Sequence, residues 1–290
     1  EANMIEFRHS CIESVGLFTV WKKNGNQRLI IDARLANLWF SDPEHVSLAT
    51  GSAFGEIEVD GGPPVCVAGV DIKDAFYHIE LPEWLRPYFG LRPLRASLLG
   101  VKRTVDGAVR PNDLIVPVLR VVPMGWTHAL WLCQSLHQIV AERVPMIRDD
   151  NRVVDKRRQP VLLPLVHTEY VDNFIALSQD VNTSKQAAVA VEHQLQSVGL
   201  PTHDVEASVG GDTLGWHFSE LDPSVCLSQK RLWRYRFAVK ELISRGKCSG
   251  RLLEKIVGPL TFASLLRREF LSVFDKVYEF IRCHYHDVAK

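Results

Sequence analysis

The apolar and polar positions change period several times along the chain, and each change marks an expected element. Residues 15–31 read as a hairpin: apolar-rich runs at 16–21 and 28–31 flank Lys22-Lys23-Asn24-Gly25-Asn26, where Asn-Gly supplies the positive φ of a tight turn. Residues 40–64 are rich in Gly, Ser, Asp and Pro with little periodicity, which predicts a loop or insertion. Val65-Cys66-Val67-Ala68-Gly69-Val70 is a continuous apolar run, the pattern of a strand buried on both faces, and it ends on Asp71. A short helix is expected from Asp74. Between 86 and 122, β-like runs at 89–91, 97–101 and 114–122 are broken by Pro93, Asp106-Gly107 and Pro111.

After Gly125 the period becomes helical. Trp126, Ala129, Leu132, Leu136, Ile139 and Val140 fall on one face of a helix expected to reach about Val144. Runs at 162–167 and 174–177 predict two strands that meet at Tyr170-Val171-Asp172-Asn173. A helix follows from Thr183, with Thr183 and Gln186 in a capping-box pattern, to Gly199 as its C-terminal glycine. Another strand is expected at 213–219. Three helices close the chain, at 228–245 stopped by Gly246, at 249–266 with a kink at Pro259, and at 270–284.

The 290 residues are 46% hydrophobic and 23% charged, enough to bury a sizeable core. No apolar stretch of about 18 residues exists to span a bilayer, and the start lacks a secretory layout, so an intracellular protein with no membrane partner is expected. Nucleus and cytoplasm are not distinguished. The six cysteines form no CxxC and no zinc-type spacing, which leaves them as reduced core or surface residues. Formal net charge is zero, but residues 227–290 hold 14 Lys+Arg against 6 Asp+Glu, leaving −8 on the remainder. A basic tail on an acidic body suits a protein that grips phosphate at one end and collects cations at the other; uneven solvated surface reads equally well.

Two aspartates carry the candidate chemistry. Asp71 ends the buried run in Val70-Asp71-Ile72-Lys73-Asp74-Ala75-Phe76, and Asp172 sits at the strand junction, 172 − 71 = 101 positions later. Aspartates at strand ends often only cap a turn. Two carboxylates on adjacent strands are also what two-metal phosphoryl transfer needs, because hard oxygen ligands hold Mg²⁺ ions where both attacking and leaving oxygens are stabilised. Neither GxxxxGK[ST] nor GxGxxG occurs, which argues against glycine-rich-loop nucleotidyl chemistry.

At these residues the sequence resembles the reverse transcriptase family, in order, from about Gly16 to Leu265. Residues 71–76 look like the first palm motif, Val122-Pro123-Met124-Gly125-Trp126 like the second, and Tyr170-Val171-Asp172-Asn173 like the third. The resemblance implies an α+β right-hand polymerase with fingers, a palm built on an antiparallel sheet and a helical thumb. Residues 1–64 would form fingers and an insertion, 65–225 the palm with interleaved fingers segments, and 226–290 the thumb and following segment. It implies an RNA-directed DNA polymerase that takes dNTPs on an RNA or DNA template with a primer, and two Mg²⁺ (or Mn²⁺) ions on Asp71 and Asp172. Asn173 stands in the catalytic motif where most members carry a second aspartate.

Around the incoming nucleotide the resemblance places the backbone of Ile72, Lys73 and Asp74 beside the triphosphate, Phe76 under the sugar, and Met124 and Gly125 beneath the template base and nucleotide. An aromatic ring at 76 leaves no room for a 2′-hydroxyl; core packing is its other reading. Residues 18–25 and 28–37 are similar to the fingers hairpin, so Lys22 and Arg28 become phosphate contacts; Asp32 and Arg34 read equally as a local ion pair. His203 stands near the position of a lysine that protonates pyrophosphate, as a candidate general acid or a surface histidine. Leu214-Gly215-Trp216-His217-Phe218-Ser219 is similar to the primer-grip hairpin, and Lys230, Arg231 and Arg234 open the basic thumb helix, so Trp216, His217 and these three cations are expected to contact nucleic acid. Residues 251–262 resemble the segment after the thumb in tyrosine-recombinase retroelements.

The expected whole is a piece of a retroelement polyprotein with no RNase H, protease or integrase pattern within it. The competing reading, drawn from Asn173 and the basic helix, is a catalytically impaired retroelement-derived nucleic-acid-binding protein. An RNA-dependent RNA polymerase is disfavoured by Phe76. Template, primer and oligomeric state are left open by the sequence.

Overall fold

The computed structural model describes residues 3–21 and 25–287 and is a mixed α+β structure with several antiparallel sheets. The chain divides into two compact units, each assembled from separate segments. The first comprises Glu1–Val46, Ile72–Ile139 and Leu195–Thr202; the second comprises Ser47–Asp71, Val140–Gln194 and His203–Lys290. Both units are discontinuous in sequence. Among the described residues no helix is long and apolar enough to cross a membrane.

In the first unit, strand Leu114–Leu119 lies between Ile5–Arg8 and Leu94–Arg95 in an antiparallel sheet. The buried Arg86 guanidinium holds this region together, donating to Glu6 Oε2 at 2.6 Å, Glu80 Oε1 at 2.9 Å and Leu81 O at 2.9 Å. Leu81, Phe89, Val122 and Trp126 form the core with Phe40, Phe76 and Tyr77 packed against it. The expected hairpin is present, with Gly16–Trp21 antiparallel to Gln27–Asp32. Its basic tip, Lys22 included, lies outside the described residues.

Two expectations in this unit give way. Residues 97–101 are not extended: Ala96–Leu99 is a helical turn closed by Gly100 at φ 66°, because a left-handed glycine that ends a helical turn outweighs a short apolar run. Helix Ala129–Ala141 starts later than Trp126, and its buried face is Ala129, Cys133, His137, Val140 and Ala141. Ile139, expected on that face, is 58% exposed, and the polar Gln134 and His137 are buried instead. An i, i+4, i+8 stripe that includes polar side chains escapes a pattern search confined to apolar ones.

The second unit is built on a four-stranded antiparallel sheet ordered Glu206–Val209, Cys66–Asp71, Asn173–Ser178, Leu165–Tyr170. Cys66–Asp71 is central and buried along most of its length, as its unbroken apolar run predicts. Val67, Val166, Ile175 and Leu177 join Trp216 and Phe218 in one core. The segment 40–64 is not all loop: Gly51–Gly55 is a buried helical turn, and a Cβ at Gly51 would fall 2.4 Å from the Trp216 ring, so only glycine fits there.

Helix Val181–Ser197 is capped by Asp180 rather than by Thr183. Asp180 accepts from the Thr183 N–H at 3.0 Å, the Thr183 hydroxyl at 2.7 Å and the Asn182 N–H at 3.3 Å. An ionised acceptor one residue before the helix leaves the Thr183 hydroxyl as a donor to it. The single strand expected at 213–219 is two, Gly211–Thr213 and Trp216–Phe218, because Leu214 (φ 47°) and Gly215 (φ 87°) reverse the chain; Val225–Leu227 completes this sheet.

The basic helix Gln229–Arg245 ends on Gly246 as expected. Helix Gly250–Ser264 starts at Ser249, whose hydroxyl oxygen accepts from the Leu252 N–H at 3.2 Å, and contains Pro259. The last expected helix is divided into a 3₁₀ segment, Arg268–Phe274, and helix Asp275–Cys283.

Candidate active site

The antiparallel register sets the geometry of the two aspartates. Asn173 lies directly opposite Asp71 on the neighbouring strand and opposite Tyr170 on the other side. Val171 and Asp172 therefore form a two-residue hairpin loop, the shortest turn that joins antiparallel strands. Val171 adopts φ 60°, a left-handed conformation that is strained for a β-branched residue by about 1–3 kcal/mol. The strain sits one residue before Asp172.

Asn173 does not stand apart from the carboxylate beside it, because its Nδ2 donates to Asp172 Oδ1 at 3.0 Å. The His203 N–H donates to Asp71 O at 2.8 Å, and its imidazole Nε2 lies 3.7 Å from Asp71 Oδ2. The ring itself is largely exposed. A groove of about 410 Å³ runs along this face, and its lining includes Asp71, Asn173, His203, Asp204, Glu206 and Asp212. The last three acids carried no signal in the sequence, since only the fold of Glu206–Val209 onto Cys66–Asp71 gathers them.

The residues expected around a nucleotide belong to the first unit. Arg28 pairs across the hairpin with Val20. The Ile72 side chain is buried, and the Lys73 N–H donates to Pro201 O at 2.8 Å. Of the three backbone groups expected beside a triphosphate, the Lys73 amide is thus already bonded. Asp74, at φ 47°, starts the turn Ala75–His78, which carries Phe76, half-buried against the core.

Tyr77 was not singled out by the sequence. Burial first, then the charge of Asp74, pushes its phenol above the ordinary value, while Arg28 pulls the other way. That effect brings the Arg28 charge to the turn that carries Phe76.

Met124 is exposed, and Trp126 is a core residue. A Cβ at Gly125 would fall 2.2 Å from Ile31 O, so this glycine serves a close approach of protein backbone. Asn37 clamps the same loop, donating from Nδ2 to Gly125 O at 3.1 Å and accepting the Thr127 N–H at 3.0 Å. Asp32 and Arg34 form the local ion pair, with Arg34 Nε and Nη2 on the two carboxylate oxygens at 2.8 and 2.6 Å.

Two of the residues expected at nucleic acid are engaged within the protein. Trp216 is 2% exposed and stacks on Phe262 with ring centroids 4.4 Å apart, so its indole is core and presents no face to a base. His217 lies between Asp212 Oδ1 at 2.9 Å and Glu220 Oε2 at 3.4 Å, an anionic setting that opposes phosphate. Arg231 is partly committed, donating to Gly215 O at 3.2 Å and lying 5.4 Å over the Phe262 ring. Lys230 and Arg234 are exposed on the helix.

No protein-family model matches the chain, and no curated protein matches it either.

Proposed function

We propose that this chain is a polymerase of the reverse transcriptase type, with right-hand fingers, palm and thumb, that extends a primer with dNTPs along a template. The observation that carries the reading is the register that sets Asp71 opposite Asn173 and so puts Asp172 on the adjoining hairpin loop. An aspartate at a strand end and a second on the strained hairpin tip of the neighbouring strand are the carboxylate donors that a phosphoryl-transfer centre uses.

The residues fit a magnesium-type ion of a particular kind. Among the described residues no group of three or more His, Cys, Asp or Glu is placed to cage a metal. Mg²⁺ commonly takes only one or two protein carboxylates and completes its octahedron with water and substrate phosphates. Asp71 and Asp172 would hold the Mg²⁺ or Mn²⁺, which when bound neutralises charge on the transferred phosphoryl group and favours ionisation of the attacking hydroxyl. The Asn173 amide fixes the orientation of the Asp172 carboxylate while adding no charge.

The remaining assignments rest on the resemblance. Arg28 offsets phosphate charge, Phe76 packs beneath the sugar and disfavours a 2′-hydroxyl, and Lys230 and Arg234 follow phosphates without reading bases. Asn173 favours one competing reading, a nucleic-acid-binding protein of the same descent in which the missing charge has cost the chemistry.

Primer extension by the purified chain on an RNA template with Mg²⁺ or Mn²⁺ separates the readings. Extension with dNTPs supports the polymerase. Primer–template binding without extension supports the binding protein, and preferential use of rNTPs favours an RNA polymerase of the same architecture.

A further inference from the structure

The second unit holds a cavity of about 400 Å³ away from the aspartates. Its floor is the core itself, with Phe54, Val65, Leu162, Leu177 and Phe218 all buried. Ala263 and Leu266, at the end of helix Gly250–Ser264, form one wall, and Arg267 and Phe270 stand at the rim. Phe270 is 53% exposed although it is apolar.

The cavity opens to solvent at its rim, and its apolar floor forgoes dispersion contacts as long as nothing fills it. Its depth is apolar, while Ser224 and Arg267 add polar groups to the lining. The volume falls within the range of about 300–1,000 Å³ typical of small-molecule sites, and an apolar lining with one or two polar groups is their usual chemistry.

Arg267 is the charged side chain of this lining, and its charge sets the class of ligand. Arg268 pairs with Asp155, whereas the Arg267 guanidinium, one residue earlier, meets no carboxylate among the described residues. A guanidinium is a planar fork of donors suited to bidentate binding of a carboxylate.

We infer that this cavity is a binding site for a small monocarboxylate with an apolar body, the body lying among Phe54, Leu177, Phe218 and Leu266 and the carboxylate on Arg267. The site is separate from the polymerase reading and does not depend on it.

Calorimetric titration of the full chain with decanoate, and in parallel with decan-1-ol, tests the assignment. Decanoate is expected to bind one to one and at least ten-fold more tightly than decan-1-ol. Arg267→Gln should remove that preference, and Ala263→Leu, which fills the space, should weaken both ligands. Arg267 is exposed, so its replacement leaves folding intact, and a thermal melt that is unchanged or raised for Ala263→Leu verifies that variant. Absence of saturable decanoate binding overturns the site. Binding indifferent to both substitutions also overturns it, and equal affinity for the alcohol overturns the carboxylate assignment.

Discussion

Asn173 differs from an aspartate by one polar atom, and that atom decides what Asp172 has for a neighbour. A second carboxylate would repel the first; the amide donates to it at 3.0 Å and steadies it. Beside it, Val171 holds φ 60° against the preference of a β-branched side chain. Val171→Gly should therefore raise stability by about 1 kcal/mol in urea unfolding, and extension should fall several-fold as the tip loses its fixed shape. A loss of stability would show that the left-handed conformation carries no strain. Asp71 drew notice because it closes an apolar run, and Asp172 because it lies between two strand-like runs. The packing of Trp216 was not legible, because its place in a primer-grip-like hairpin says nothing of Phe262 and Gly51, which are distant in sequence and close on its ring. The groove acids Asp204 and Asp212 were invisible for the same reason: sequence distance hides what strand pairing gathers.

Helices and strands announced themselves mainly through their ends. Gly246 and Ser249 marked true boundaries because a left-handed glycine and a serine cap are local devices. The hairpin at Leu214-Gly215 was merged into one strand because leucine at positive φ gives no turn signal. At Asp180 the cap has a pH signature. Hydrogen bonds from the Thr183 hydroxyl and from the Thr183 and Asn182 N–H groups hold the carboxyl below the ordinary value of 3.8. Its stabilisation is complete above the unfolded pKa and drains away as pH falls through the lower folded one. Asp180→Asn, which keeps an acceptor but does not titrate, should lose less melting temperature than the wild type between pH 7 and pH 3; an equal loss would deny the cap its role.

The outer edge of strand Leu165–Tyr170 has a second device. Buried Arg152 donates to Glu169 at 2.7 Å, Asp149 at 2.7 Å and Glu142 at 2.6 Å, and His167 lies 2.9 Å from the other Glu169 oxygen. Glu169→Ala removes the buried partner and leaves Arg152 to Asp149 and the half-exposed Glu142, so it should cost about 1.5–3 kcal/mol in urea unfolding. A cost under about 1 kcal/mol would mean the cluster is solvated.

For the molecule as a whole, the mixed α+β class was readable, and both compact units are stitched from segments that switch at Asp71–Ile72 and again near Leu195 and His203. Composition changes mark linkers between contiguous domains and miss such crossings. The charge asymmetry of the chain was legible, and it places Lys230 and Arg234 on an exposed helix. Primer–template affinity should fall steeply with salt, and replacing either residue by alanine should lower the salt slope by about 1. A slope unaltered by both changes would remove that helix from the interface. Single-turnover primer extension of the wild type, Asp172→Asn and Asn173→Asp side by side puts Asp71 and Asp172 to the test as the reactive pair. A loss of roughly a hundred-fold or more is expected for Asp172→Asn, and equal or higher activity for Asn173→Asp. Extension by Asp172→Asn at the wild-type rate would contradict that role.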